Sequence, residues 1–426
     1  MNNRIKIPLQ ILIIISLIIF GFSGCDIYPD APPDNEFLDE PMDGLTKEQL
    51  NRHLKGDSEF DRHFTAQEGV GPIFVVQSCD KCHPGEGKGH PEISFQRFGK
   101  MQEDGTFSFL RERGGPQQQT RAIPGYEPEV VPDEATGVSR FLPPVIVGLG
   151  LLEAVDDTTI WNLAEAQKVA NNDISGRPNL IAPEDFLAPV NSVEQLFRNA
   201  PQTRFQPNNN GKYLGRFGRK ASIITLRHQT VTAFHEDMGL TTHLLPEDPQ
   251  NKMVADDGAH DEVDDPEIST AIVSNIVLYL KTLRPPQRRH PDAPDVKAGE
   301  LLFEEAGCAS CHTPTLKTGK SSIAALDQKE FHPYTDLLLH DMGPELDDGY
   351  TEGRAKTSEW RTTPLWGLGL STPFQGDQPY YLHDGRAQTL REAIEYHGGE
   401  AAASRTQFQA LSDKKKEQLI SFLESL

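Results

Sequence analysis

The sequence predicts a mainly α protein made of two like units, the first carrying a large irregular insertion with some short strands. Three observations carry this. The pattern C-x-x-C-H occurs twice, at Cys79–His83 and at Cys308–His312. Two apolar segments close on matching endings, Tyr279-Leu280-Lys281-Thr282-Leu283 and Phe422-Leu423-Glu424-Ser425-Leu426. Only the first half holds a long run dense in Gly, Pro, Gln and Asn, from Pro84 to about Gly215. A repeated sequence unit reads as a repeated structural unit.

In chain order, Arg4 and Lys6 precede the almost wholly aliphatic stretch Ile7 to Phe20, and Gly21-Phe22-Ser23-Gly24-Cys25 follows. A charged start, an apolar centre and small residues at a cleavage site make an export signal. Residues 1–24 resemble a bacterial lipoprotein signal, with Cys25 as the acylated first residue and Phe22 where Leu is usual. A plain secretory signal or short anchor fits the same residues. The expected location is the periplasmic side of a bacterial membrane, inner or outer, with the lipid as the only membrane attachment. Residues 25–44, rich in Asp, Pro and Glu, have too little apolar content to fold and are expected to be a flexible tether.

Leu45 to Leu54 reads as a short amphipathic helix leading to the first C-x-x-C-H. Two thiols three positions apart on one turn can both add to the vinyl groups of a haem, and the following His then lies under the iron. A zinc site would need a second Cys or His pair at finger-like spacing, and neither copy has one. The five cysteines divide without remainder: Cys25 for lipid, Cys79 and Cys82 with His83 for one haem c, Cys308 and Cys311 with His312 for another. None is left for a disulfide.

Within the insertion, Thr106 to Leu110 alternates like a hairpin strand. Pro143 to Ala154 opens a helix running through Trp161 to Ala170, and Asp173 to Asn179 is turn chemistry. Val193 to Phe197 and Lys220 to Met238 read as helical. The acidic run Asp256 to Glu267 reads as a solvated loop rather than a metal site. Ile268 to Leu283 is an apolar helix stopped by Pro285-Pro286. The boundary between units follows, giving residues 45–285 as an N-terminal cytochrome c-like haem domain (insertion about 84–215) and 286–426 as a C-terminal one. From His83 to Leu283 is 200 residues, and from His312 to Leu426 is 114. The excess, roughly 80 to 90 residues, is beyond a compact cytochrome c unit, and is expected to cover a haem edge or build a substrate pocket.

The chain has 426 residues and a formal net charge of −22, which becomes −24 once Arg4 and Lys6 leave with the signal. So acidic a protein is a poor partner for nucleic acid or anionic lipid. It suits a basic electron-transfer partner, or simply stays soluble.

The tail Glu359-Trp360-Arg361-Thr362-Thr363-Pro364-Leu365-Trp366-Gly367 and the stretch Leu382-His383-Asp384-Gly385 to His397-Gly398-Gly399 resemble the di-haem oxidoreductase (putative peroxidase) family, which is related to bacterial di-haem cytochrome c peroxidases. Gly148 to Ala154, Ile174 to Asn179, Gly215 to Gly218, Asp237-Met238-Gly239 and Leu339 to Gly343 match in the same order. The resemblance implies an oxidoreductase that reduces hydrogen peroxide, with the N-terminal haem as reaction centre and the C-terminal haem as electron entry. It implies His397 opposite His312 as a second iron ligand (Tyr396 being the runner-up), and His383 near the propionates without binding iron. It places Asp237 as the acid–base residue and Gln229 as a hydrogen-bond partner in the pocket, with Glu236 and His235 as neighbouring alternatives. It further implies a calcium ion between the domains and a periplasmic electron donor such as a small cytochrome or cupredoxin. One position departs. Ten residues before Gln229, where relatives carry a Trp that relays electrons between haems, stands Arg219. The same motifs also fit a non-catalytic di-haem electron carrier, or an oxidoreductase acting on thiols or another substrate.

Overall fold

The computed structural model describes residues 38–170, 173–198, 200–201, 204–254, 260–376 and 378–426. The expected signal peptide and Cys25 lie outside the described residues. No helix among the described residues is long and apolar enough to cross a membrane.

Two helix pairs organise the chain. In the first half, α1 (Lys47–Phe60) packs along a helix spanning Thr270–Thr282. In the second, a helix at Pro294–Glu305 packs along the last one, Asp413–Ser425. Between them in sequence lie α2 (Leu149–Glu153), α3 (Asp157–Ala170) and α4 (Leu226–Met238), so the paired helices are α5 (Thr270–Thr282), α6 (Pro294–Glu305) and, after the short α7 (Leu390–Glu395) and α8 (Ala402–Ala410), α9 (Asp413–Ser425). The start of α1 is dictated locally. Thr46 Oγ1 accepts the Gln49 N–H, and the Gln49 side chain accepts the Thr46 N–H, a reciprocal cap for two orphan donors. Ser269 caps α5, and Pro294 sits in the first turn of α6, where its missing N–H costs nothing.

Both pairs close on a glycine. A Cβ on Gly56 of α1 would overlap Asn275 O and Tyr279 Cβ of α5, and one on Gly299 of α6 would overlap Gln418 O and Phe422 Cβ of α9. Backbone therefore meets backbone at the crossing, and the flanking apolar residues interdigitate. Phe60, Val273, Ile276 and Tyr279 are buried in one core, and Val296, Phe303, Leu419 and Phe422 in another.

The insertion holds α2, α3 and a small three-stranded antiparallel sheet, joined by long loops. Strand β1 (Phe95–Met101) lies between β2 (Phe107–Ser108) and β3 (Gly137–Phe141), with Phe98 opposite Val138. A two-stranded ladder, β4 (Leu339–Asp341) with β5 (Glu359–Arg361), pairs His340 with Trp360.

Three expectations need correction. The last part of the expected tether is packed: Leu38 and Met42 are buried, and the Met42 N–H donates to Thr282 O at 2.8 Å. Two apolar side chains in an otherwise acidic stretch suffice to dock it along the end of α5. The helix expected from Lys220 begins only at Leu226. Lys220 is buried with its Nζ donating to Thr357 O and Glu359 O, both at 2.7 Å, which ties 218–221 down as a turn ahead of the helix. The acidic run is not wholly solvated either, since Asp261 is buried beside Asp248 and Glu267.

The glycine crossings give a direct check. Gly56→Ala and Gly299→Ala are each expected to lower unfolding free energy by about 1–3 kcal/mol, the cost of overpacking a closed core, measured by denaturant titration.

Candidate haem-binding sites

Each C-x-x-C-H forms a single tight turn. Ser78 Oγ accepts the Lys81 N–H at 3.3 Å, starting the first, while Gly307, in the left-handed region at φ +80°, starts the second. In both, the His N–H returns to the first Cys carbonyl at 3.0 Å, His83 to Cys79 and His312 to Cys308. The two thiols and the imidazole of each motif are thus set by one turn of backbone.

Each imidazole is then oriented from outside the turn. His83 Nδ1 is 2.8 Å from Pro144 O, and His312 Nδ1 is 2.9 Å from Tyr334 O. A ring whose Nδ1–H donates to a carbonyl presents an unprotonated Nε2 on its other side, the tautomer a metal needs. Burial reinforces this by pushing both imidazoles down to about 4, so both are neutral at pH 7. The Cys79 and Cys308 thiols are pushed up to about 12 by burial, and at Cys79 also by Asp237. No disulfide forms between them. Neither thiol pair belongs to any group of three or more converging metal-ligand side chains among the described residues.

The second site has the fuller geometry. His397, at the end of α7, holds Nδ1 2.7 Å from Ala393 O, and its ring faces His312 with centroids 6.5 Å apart. That gap has room for one metal, since a nitrogen at about 2 Å on each side puts the centroids roughly 6 Å apart. Around the two rings lies a cavity of about 230 Å³ with apolar walls that include Phe303, Leu365, Leu390 and Leu423. Four basic side chains, Lys88, Arg219, Arg361 and Arg405, line the same cavity with one carboxylate, Glu400. Arg219 donates to Leu142 O at 2.5 Å, and its Nε has no partner. Burial, with Arg361 nearby, lowers it to about 9, and burial lowers Arg361 to about 10. An apolar slot between two imidazoles, with thiols at one side and cations short of anions along its wall, fits an amphiphilic dianion such as haem.

His383 lines this cavity too, but its Nε2 is 2.7 Å from Asp348 Oδ2 and its ring stacks on Trp360 at 3.6 Å. It is engaged as a wall residue. Tyr396 shares the apolar core around Trp360 and Phe141, with Arg386 5.8 Å over its ring.

The first site is arranged differently. Phe60 lies beside His83 at 6.3 Å as Phe303 lies beside His312 at 6.4 Å, but among the described residues no second imidazole is paired with His83. Asp237, on the last turn of α4, is close enough to Cys79 and Cys82 to raise both thiols. Burial pushes the Asp237 carboxyl up to about 6, against the Gln117 amide and Arg97, which favour its charged form. Gln117 Nε2 donates to Asp237 Oδ1 at 2.6 Å and to Glu236 O at 3.0 Å. The amide on Asp237 is therefore Gln117, from the insertion. Gln229 lies on the same helix two turns earlier, about 12 Å along its axis. Of the neighbouring alternatives, His235 and Glu236 pair with each other at 3.0 Å.

Sequence reading also missed His340. Its Nε2 is 2.9 Å from Asp336 and its Nδ1 2.8 Å from Glu400 and 3.5 Å from Cys311 Sγ. The block Leu339-His340-Asp341-Met342-Gly343 gave it a place in a motif but not its distant carboxylates. As for other metals, carboxylates converge at Asp57, Asp61 and Glu86 and at Asp248, Asp261 and Glu267. Both groups lie in the first half of the chain.

The chain belongs to the family described as "Di-haem oxidoreductase, putative peroxidase", whose model matches residues 130–426, beginning after the first C-x-x-C-H. Among solved structures it is similar to hydrazine synthase of Kuenenia stuttgartiensis, at 13% identity and a TM-score of 0.38 over the whole of both chains. It is similar also to a MauG-like protein associated with microbial copper homeostasis, at 15% identity and a TM-score of 0.34, covering 93% of this chain and 94% of that one. No curated protein matches.

His340 yields a pH-dependent expectation. Burial opposes its charge, but Asp336 and Glu400 raise its pKa well above 6.5, and it in turn lowers both carboxyls from 3.8 and 4.5 against the effect of their own burial. The imidazolium contributes fully below pH 6.5 and is lost as pH rises through its folded pKa. The carboxylates contribute fully above their unfolded pKa values and are lost in acid. The stability lost in His340→Gln should therefore be largest between about pH 5 and 7 and shrink on both sides, as read by denaturant unfolding across pH.

Proposed function

We propose that this member of the di-haem oxidoreductase family carries two covalent haems c and reduces hydrogen peroxide at the first while electrons enter at the second. The supporting observation is the asymmetry of the two sites. Each motif imidazole has a phenyl ring beside it, Phe60 at His83 and Phe303 at His312, but among the described residues only His312 also faces a second imidazole, His397, across 6.5 Å. An iron held on both sides transfers electrons, and one with a free side can take a substrate. Two cytochrome c-like units, each built on one of the helix pairs, would hold the haems, and the insertion would complete the first site through Pro144 and Gln117.

When bound, each haem supplies an iron that exchanges single electrons, and two electrons with two protons convert hydrogen peroxide to two waters. The protein's share is proton handling. In this reading the Asp237 carboxylate would take a proton from one peroxide oxygen and return it to the other, which would leave as water. A carboxyl near pKa 6 can do both at neutral pH. Gln117, donating to Oδ1, positions it, and Gln229 would contact substrate farther up the helix. Lys88, Arg219 and Arg361 would pair with the propionates of the second haem beside His383. Exported and lipid-anchored through Cys25 on the periplasmic side of the membrane, the acidic protein would take electrons from a basic small cytochrome or cupredoxin.

Arg219 also favours a second reading. Without an aromatic relay at that position the haems would communicate poorly for a peroxidase cycle, which suits an electron carrier or an oxidoreductase acting on thiols.

Denatured protein from a host that matures cytochromes c should exceed the mass of its chain by two haems, and its pyridine extract should show haem c. Electron paramagnetic resonance should give one high-spin and one low-spin ferric signal in the protein poised for turnover; two low-spin signals throughout would favour the carrier. His397→Ala should convert the low-spin signal. Asp237→Asn should cut peroxide turnover by about 10²–10⁴-fold. In wild type, turnover should rise with pH through about 6 as Asp237 ionises, and this limb should vanish in the variant.

A further inference from the structure

A second cavity, of about 620 Å³, lies apart from both C-x-x-C-H turns, where α1, α2, α4 and α5 meet the loop at Ser321–Ile323. Its wall carries Arg52, Arg198, Arg204, Arg227 and Lys281 against one carboxylate, Glu153. That is a strong local excess of positive charge in a chain whose formal net charge is −22.

The carboxylate cannot balance it. Glu153 Oε2 pairs with Lys281 Nζ at 2.5 Å, and Oε1 accepts the Leu226 N–H at 2.7 Å. Arg204 donates to Glu153 O and Lys320 O, while its Nε, 3.8 Å from Asp156 Oδ1, makes no hydrogen bond. Arg52 is held by Asn275 Oδ1 and Ser274 O. Arg227 is only 8% exposed, yet it donates one long bond, to Ser274 Oγ at 3.4 Å, and forms no ion pair among the described residues. Burial lowers its pKa, and Arg198 and Arg52 lower it further. His243 is lowered by burial and then by Arg227 and Arg198. These guanidinium groups repel one another in a partly dry site, a cost that only an anion can offset.

We propose that this cavity binds a compact small molecule carrying two or more oxyanion charges, either a polycarboxylate or a phosphoryl compound. Planar guanidinium forks suit both groups. The hydroxyls of Thr270, Ser274 and Ser321 and the amide of Gln49 add neutral donors around them. The volume falls within the roughly 300–1,000 Å³ of small-molecule sites, more than a bare phosphate ion would fill. Because the wall draws on both halves of the chain, the occupant would also clamp the Ser321–Ile323 loop against the first half.

Titration calorimetry on the mature protein at low ionic strength, with citrate, inorganic pyrophosphate and acetate, tests this. One site per chain is expected for citrate or for pyrophosphate, at least ten-fold tighter than for acetate. Binding of citrate alone would identify a polycarboxylate site, and of pyrophosphate alone a phosphoryl site. Arg227→Gln should weaken binding at least ten-fold. Arg198→Gln, at an exposed position, should do the same with an unchanged absorption spectrum and a melting temperature no lower than that of wild type. The proposal fails if neither polyanion gives a saturable heat, if acetate binds equally well, or if Arg198→Gln binds like wild type.

Discussion

The structure depends on one repeated constraint: an imidazole fixed at both ends by backbone. At each C-x-x-C-H the His N–H closes onto the first Cys carbonyl, and Nδ1 meets a carbonyl from outside the turn. The first contact places the ring relative to the two thiols. The second sets its rotation and its tautomer. Pro144 lies 61 residues beyond His83, and Tyr334 lies 22 beyond His312. The segments that bring those carbonyls back are therefore held as firmly as the helices behind them.

The rest of the molecule can be understood as support for these two rings. The helix pairs close on glycine crossings and form the cores behind the turns, with Phe60 reaching His83 and Phe303 reaching His312. The insertion has a double role, since one of its loops returns Pro144 to His83 while another sends Gln117 to Asp237. Around the second ring, His340 with Asp336 and Glu400 forms a buried charged network against Cys311. Buried charges of this kind hold a unique arrangement only when each finds its partners, as these do.

Charge distribution separates two kinds of place. Over most of its length the chain is acidic. In two cavities the balance is reversed: the slot between His312 and His397, bordered by Lys88, Arg219 and Arg361, and the larger cavity around Arg227. Desolvated cations without matching carboxylates are costly in isolation. Their concentration in cavities, rather than across the surface, is what marks these sites as places for anions.

Much of this was legible in the sequence for simple reasons. The thiols and imidazole of each motif are neighbours in the chain, so their spacing alone carried the expectation of their chemistry. The closing helices carried their own periodicity and stops, and the expectation of two like units followed from them. What sequence could not give was any contact made across the fold. Gln117 meets Asp237 from 120 residues away, where spacing had suggested Gln229 on the same helix. Lys220 is buried over the Trp360 ring and bonded to Thr357 and Glu359, which removed a helical turn that local propensity favoured. Leu38 and Met42 were two apolar residues in an acidic stretch, and only the end of α5 revealed what they dock against. Local covalent order thus determined which groups can hold a haem. The tertiary structure decided which ring faces which, and where uncompensated charge collects, because both depend on segments that only folding brings together.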